Sequence, residues 1–168
     1  MEVAVESRAK LLGHPVHPML VVLPLGLFLS AVFFDGLAIW RTSEPLATTA
    51  FYNVGAGVLG GLTAAVFGLV DWLAIPAQTR AKKIGMFHGL VNLIVLVCFG
   101  VSWLARSATH TRVLSGEWYL AEVFVLMLAL VAGWLGGELV DRLSVGVDDG
   151  ANLNASNSIR ARAARFGR

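Results

Sequence analysis

The stretch "PMLVVLPLGLFLSAVFFDGLAIW", residues 18–40, contains a single ionisable side chain, that of Asp35. A helix crosses the hydrocarbon core of a bilayer with about 20 mostly apolar residues, so this stretch predicts a transmembrane span. Three further apolar runs follow, at 52–75, 84–105 and 119–140. Because the connections are short, consecutive helices should be antiparallel neighbours. The predicted fold is all-α, an integral membrane antiparallel four-helix bundle.

The composition of the 168-residue chain also indicates a membrane protein. It is 57% hydrophobic and 14% charged, with a mean hydropathy of +0.72, whereas soluble domains have about 25% charged residues. We expect a cytoplasmic N-terminal segment at 1–16, a transmembrane domain at 17–147 and a disordered basic cytoplasmic tail at 148–168. The single cysteine, Cys98, excludes a disulfide framework and covalently attached haem.

The basic residues predict the orientation of the bundle. Ten of them lie in the N-terminal segment, the second loop and the C-terminal tail, whereas the other two loops share Arg41, Arg106 and Arg112. Because basic loops stay on the cytoplasmic side, we expect both termini in the cytoplasm and the protein in the inner (cell) membrane. The first span exceeds the roughly 7–15 apolar residues of a signal peptide, so we expect it to be retained.

Small residues inside the spans predict which helices pack together. The stretch "GAGVLG", residues 55–60, matches a dinucleotide-binding pattern by its letters, but it lies inside a span and the match is spurious. Small residues recur every four positions in two spans: Gly57, Gly61 and Ala65 in the second, and Ala129, Gly133 and Gly137 in the fourth. Because small residues let helices approach closely in lipid, we expect spans two and four to pack through these faces.

Polar side chains within or beside a span are costly to bury and therefore mark candidate sites. Five of them lie on the predicted cytoplasmic side: His14, His17, Asp71, His88 and Asn92. His14 and His17 precede span one, and His88 lies about one turn inside span three, so the three imidazoles can meet. His88 and Asn92 are neighbours at i and i+4 on one helix face. Asp71 shares a face with the small residues of span two.

Structural explanations exist for the same residues. A histidine before a proline is held outside helical geometry, so the two His-Pro pairs can form a rigid lead-in to span one. Asp71 can pair with a basic loop residue such as Arg80, and Glu138 can pair with Arg142 at i+4. Near the opposite interface, Glu122 can reach headgroup water, and we assign it no role.

Four segments in this order carry a family resemblance: "HPVHPMLVVLPLGLFLSAVFFDGL", "GLVDWLAIPAQTR", "HGLVNL" and "GWLGGELV". They resemble the bacterial inner-membrane family called domain of unknown function 2231, from about residue 13 to 147. The resemblance implies a four-helix inner-membrane protein, distantly similar to b-type cytochrome bundles, and favours electron transfer. Many relatives carry a histidine shortly after "GGELV", where this chain has Leu143 and Ser144, so a ligand at that place is absent here.

Electron transfer through haem b is the first of three functions that these observations allow. His88 and either His17 or His14 would be the axial ligands, and Asp71 or Asn92 would orient a ring. Basic residues on the same side would meet the haem propionates: Arg80, Lys82, Lys83 and Arg142.

The second function is a non-haem metal or proton site formed by His14, His17, His88 and Asp71. The third is a structural or partner-docking membrane protein whose polar residues are satisfied internally. No nucleophile–base pair or phosphate loop is visible, so no enzyme activity is assigned. The expected partners are the lipid bilayer and, for the first function, a redox protein; no nucleic-acid-binding module is present.

Overall fold

Four long helices form the fold in the computed structural model, which describes residues 4–159. They are α1 (Val16–Arg41), α2 (Glu44–Ala74), α3 (Arg80–Ser107) and α4 (Gly116–Gly137), and a π-helical turn (Glu138–Arg142) extends α4. All four are long and apolar enough to cross a membrane. The predicted four-helix membrane fold is therefore confirmed. The largest difference is at α2, which begins about two turns before the apolar run that predicted it.

Local sequence explains where the helices begin and end. Thr42 follows α1 in the left-handed conformation, with a φ of 51°, which stops the helix. Pro45 lies in the first turn of α2, where its missing N–H group is not needed. The Thr79 hydroxyl caps α3 by accepting a hydrogen bond from the Lys82 backbone N–H at 3.1 Å. Because only two residues separate α1 from α2, these helices form an antiparallel hairpin.

The helices run alternately up and down, with sequence neighbours side by side. α1 and α3 each pack against both α2 and α4, so α1 faces α3 across the bundle. We call the end that holds residues 4–15 and 143–149 the terminal end, and the opposite end the loop end. At the terminal end, β1 (Lys10–Leu11) and β2 (His14–Pro15) form a small hairpin, and Val5 bridges Val145.

The outward faces of the helices are apolar. Val22, Leu59, Leu104 and Phe124, one from each helix, all expose more than half of their surface. In water such a surface would drive aggregation, but a bilayer accepts it, because lipid tails are as apolar as these side chains. The surface of the bundle therefore agrees with its predicted contact with lipid.

Equivalent residues of α1 and α3 meet along the centre of the bundle. Three contacts join these helices, each between residues 71 positions apart: His17 with His88, Phe28 with Phe99, and Asp35 with Arg106. Contacts between equivalent positions are those of a two-fold axis that passes between the two elements. The α1–α2 and α3–α4 hairpins are therefore related by a pseudo-two-fold axis that runs along the bundle.

The predicted packing of spans two and four through their small residues is wrong. These helices lie on opposite sides of the bundle, and the glycines of α2 receive large side chains from α1 and α3 instead. A Cβ atom at Gly57 would come within 2.6 Å of the Phe28 ring, and one at Gly61 would collide with Leu96. A Cβ atom at Gly133 would meet nothing within 4 Å. Small residues indicate close packing, but their spacing does not identify the partner helix.

We expect Gly57→Ala to destabilise the bundle by about 1–3 kcal/mol, because the added methyl group overpacks the Phe28 ring. The matched control, Gly133→Ala, should leave stability unchanged or slightly raise it. Thermal unfolding of the detergent-solubilised variants measures both effects. Equal losses in the two variants would contradict the observed packing and restore the predicted one.

Candidate functional site

The first candidate site is a pair of histidines at the terminal end. His17 lies in the first turn of α1, and His88 lies about two turns into α3. Their ring centroids are 6.2 Å apart, and the ring planes are nearly perpendicular, at 87°. Both side chains are half-buried. Spans one and three therefore bring two of the three predicted histidines into contact.

Backbone carbonyls hold both imidazoles in place. The Nδ1 atom of His17 lies 2.8 Å from the Ala64 carbonyl oxygen, and the Nδ1 atom of His88 lies 2.8 Å from that of Ala132. Because a carbonyl oxygen only accepts hydrogen bonds, each Nδ1 atom carries the hydrogen. In a neutral imidazole the lone pair then lies on Nε2. This is the arrangement in which a protein orients a histidine as a metal ligand.

Asn92 contacts the Nε2 nitrogen of His88. Its Nδ2 atom lies 3.2 Å from His88 Nε2 and 2.9 Å from the His88 carbonyl oxygen. An amide group has two hydrogens, so it can donate to both atoms at once. The predicted pairing of His88 with Asn92 is therefore present, and it independently indicates that His88 Nε2 is an acceptor.

Two glycines provide the space that the imidazoles occupy. A Cβ atom at Gly68 of α2 would come within 2.8 Å of the His17 ring, and one at Gly136 of α4 within 3.3 Å of the His88 ring. Gly68 and Gly136 are 68 positions apart, as are the two alanines whose carbonyls hold the rings. Each histidine therefore has the same surroundings in its own half of the pseudo-two-fold arrangement.

His14 and Asp71 lie apart from this pair. His14 is exposed on β2, and its Nε2 atom lies 3.4 Å from the Ser158 hydroxyl. The Asp71 carboxylate accepts hydrogen bonds from the Ser7 hydroxyl at 2.8 and 2.9 Å and from the Arg8 backbone N–H at 2.8 Å. A second backbone donor, the N–H group of Ala9, lies at 3.3 Å. Asp71 therefore anchors the N-terminal segment to the end of α2.

Arg80 and Glu138 form a different ion pair from the two expected from sequence. The Arg80 guanidinium lies 2.5 Å from a carboxylate oxygen of Glu138, which joins the start of α3 to the π-helical turn. Arg80 is thus paired with Glu138 rather than with Asp71. In this ion pair Glu138 contacts Arg80 and not Arg142, the partner that the i,i+4 spacing predicted. The π-helical turn changes the helical spacing on which that prediction rested.

The described terminal segments also meet each other. Lys10 pairs with Glu6 at 2.9 Å and with Asp148. Burial lowers the pKa of Lys10, but the hydrogen bonds to Asp148 and Glu6 outweigh it, and the pKa is raised. Asp148 begins the segment predicted as a disordered tail. Its disorder stays a prediction, and residues 160–168 lie outside the described part of the chain.

A second cluster, at the loop end, was missed by the sequence reasoning. Arg106 donates two hydrogen bonds to the Asp35 carboxylate, at 2.7 and 2.9 Å, and a third to the Ala47 carbonyl oxygen at 3.1 Å. The Ser102 hydroxyl donates to Glu122, whose carboxylate lies 3.6 Å from Arg106. Glu122 exposes only 3% of its surface, so the expectation that it reaches headgroup water is wrong. These residues come from all four helices, so no local motif relates them.

Within residues 4–159, no three histidine, cysteine, aspartate or glutamate side chains come together to hold a metal ion. The histidine pair therefore offers two protein ligands. The buried cluster offers one guanidinium and two carboxylates.

The fold and these sites define a multi-pass helical membrane protein with a histidine pair inside a four-helix bundle. Residues 13–149 match the family described as "Predicted membrane protein (DUF2231)", and the chain belongs to that family. No curated protein and no solved structure matches the chain.

Replacing Asp71 by asparagine should release the N-terminal segment. The amide loses the negative charge that holds the Ser7 and Arg8 donors, and a charge-assisted hydrogen bond contributes about 1.5–3 kcal/mol. We expect tryptic cleavage after Arg8 to become roughly tenfold faster or more, as followed by mass spectrometry. The control is Asp141→Asn, an exposed acid at the same end. Unchanged cleavage in Asp71→Asn would show that the anchor lies elsewhere.

Proposed function

We propose that this protein binds haem b through His17 and His88 and acts as an electron-transfer subunit in the membrane. The observation that carries the proposal is the contact of these two imidazoles across the bundle, with both Nδ1 atoms held by carbonyl oxygens. A bound haem b supplies a centre that takes up and gives back one electron. His17 and His88 would hold it through their Nε2 atoms, and the two carbonyl oxygens would orient the rings.

The separation of the two rings fits a shared metal atom. Imidazole nitrogens bind metals at about 2.0–2.1 Å, so two rings that share one metal atom have centroids about 6 Å apart, which is close to the observed 6.2 Å. His17 and His88 come from α1 and α3, which agrees with the usual supply of bundle ligands from facing helices.

The number of ligands favours haem over a bare metal ion. A structural zinc ion takes four protein ligands and a catalytic one takes three. The described residues bring two histidines together and no third group of a kind that holds metals. Haem iron needs only axial ligands from the protein, because the porphyrin supplies the other four.

Asn92 is suited to hold the His88 ring with or without a bound metal. When Nε2 of His88 is engaged by a metal, the Asn92 amide can no longer donate to it, but its second hydrogen bond, to the His88 carbonyl oxygen, remains. Asn92 is therefore a positioning residue in this proposal. His14 and Asp71 are not ligands in it.

Basic residues in the helix turn that precedes His88 support the binding of acidic haem propionates. Lys82 and Lys83 lie in the first turn of α3, before His88. Lys82 also lies over the Trp72 ring at 3.9 Å. The excess of basic residues at the terminal end supports a cytoplasmic location of both termini in an inner membrane. The proposed electron transfer in turn requires a redox protein as partner.

An oxidised-minus-reduced absorption spectrum tests the proposal directly. Protein purified from cells supplied with haem precursor should show b-type bands, at about one haem per chain. His17→Ala and His88→Ala should each lose most of the bound haem, because a single axial ligand remains. His14→Ala and His110→Ala, which replace exposed histidines at the two ends, should keep it.

A rescue experiment separates ligand loss from misfolding. His88→Gly leaves space for free imidazole, which should restore the bands if the side chain serves as a ligand. Metal content is measured on the same samples. Wild-type protein without a haem spectrum overturns the proposal: bound metal would then favour a non-haem site, and absence of both would favour a structural role.

A further inference from the structure

The buried cluster at the loop end breaks the symmetry of the bundle. By the spacings that relate the two hairpins, Glu122 corresponds to Val54 and Ser102 corresponds to Ala31. Val54 and Ala31 are fully buried, with no exposed surface. The fold therefore accommodates an apolar residue at each of these places. Replacing buried polar groups by apolar ones of similar size is often neutral or stabilising, so packing alone does not require Glu122.

The charges of the cluster do not balance when both acids are ionised. Asp35 and Arg106 neutralise each other through two hydrogen bonds, and both are at least 97% buried. Glu122 lies 3.6 Å from Arg106, beyond hydrogen-bond distance. An ionised Glu122 would therefore leave one uncompensated negative charge inside the membrane, which is expensive.

Among residues 4–159, two buried polar atoms of the cluster have no hydrogen-bond partner. They are the second carboxylate oxygen of Glu122, Oε2, and the Nε atom of Arg106. Each unsatisfied buried polar group in a native structure calls for an explanation, such as a bound ion or a functional role. Glu122 combines both features: its Oε2 atom has no hydrogen-bond partner among the described residues, and its charge when ionised is not neutralised, because Arg106 is paired with Asp35.

We propose that Glu122 is a proton-binding site, which holds a proton at rest and exchanges it with the aqueous phase at the loop end. Protonation removes the uncompensated charge and leaves the Ser102 hydrogen bond to the other oxygen intact. Glu122 lies six residues into α4, about 9 Å along the helix from its start. The path to water at that end is therefore short. This site does not depend on the histidine pair.

The groups that face Glu122 explain why it, and not Asp35, takes the proton. Asp35 from α1 accepts two hydrogen bonds from Arg106 of α3, so the guanidinium hydrogens are directed at Asp35 and not at Glu122. From α2, the cluster receives the Ala47 carbonyl oxygen, which carries no charge and is bound by Arg106. On α4 itself, the Tyr119 hydroxyl lies one turn earlier, against Gly36 of α1.

Infrared spectroscopy detects the proton on the full-length protein in lipid nanodiscs. A protonated carboxylic acid has a carbonyl band that is absent from the ionised form. We expect wild-type protein at neutral pH to show such a band, to shift it on labelling with ¹³C-glutamate, and to lose it when the pH is raised. Labelling uses the unaltered chain, so this result does not depend on a variant that folds.

Substitutions assign the band. Glu122→Gln should abolish it completely, and the exposed acid of the same helix end provides the matched control, Glu117→Gln, which should keep it in full. The double substitution Glu122→Val with Ser102→Ala copies the apolar half of the bundle. It should fold with normal helicity and also lack the band.

Three results would overturn the proposal. One is the absence of a glutamate carboxylic-acid band at any pH at which the protein stays folded. Another is a band that persists in Glu122→Gln. The third is a band whose loss depends on added sodium or potassium at constant pH, which would make the site a cation site.

Discussion

The packing of α1 against α3 along the pseudo-two-fold axis is the contact on which the rest of the structure depends. It begins with the histidine pair at the terminal end, continues through the parallel stack of Phe28 on Phe99, whose centroids are 4.1 Å apart, and ends in the Asp35–Arg106 ion pair. In lipid, helices gain nothing from hiding apolar surface, so specific contacts of this kind must hold the bundle together. The same axis places both candidate sites, because each lies where the two halves meet.

The bundle is symmetric at one end of this axis and asymmetric at the other. At the terminal end the halves are alike: each histidine has a carbonyl partner and a glycine in the same relation to it. Under the proposed function, such a symmetric pair of imidazoles suits a centre that is bound equally from both sides. At the loop end the halves differ, since Asp35 faces Arg106, and Glu122 and Ser102 replace apolar residues. Asp35 and Arg106 neutralise each other there, and Glu122 remains as a further acid.

Part of the candidate site could be predicted from sequence. The meeting of His17 and His88 follows from two spans that start on the same side, and the His88–Asn92 pair follows from helical spacing. The cluster around Glu122 could not be found in this way, because the hydropathy pattern places Arg106 at a loop and Glu122 near the interface. A signal did exist: a histidine followed by phenylalanine eleven residues later occurs at 17 and 28 and again at 88 and 99. An internal repeat of this kind would have aligned Asp35 with Arg106.

The sequence by itself determined the four spans, their alternation and the apolar outer surface, because span length and hydropathy are set by the thickness and chemistry of the bilayer. Which helices face each other was decided only in the tertiary structure. The glycines of α2 fit against large side chains of α1 and α3, and not against the small residues of α4, since close packing depends on the shape of both surfaces. The tertiary structure alone also decided which buried charges have partners. Asp35, Arg106 and Glu122 lie far apart in the chain and meet only when three helices pack.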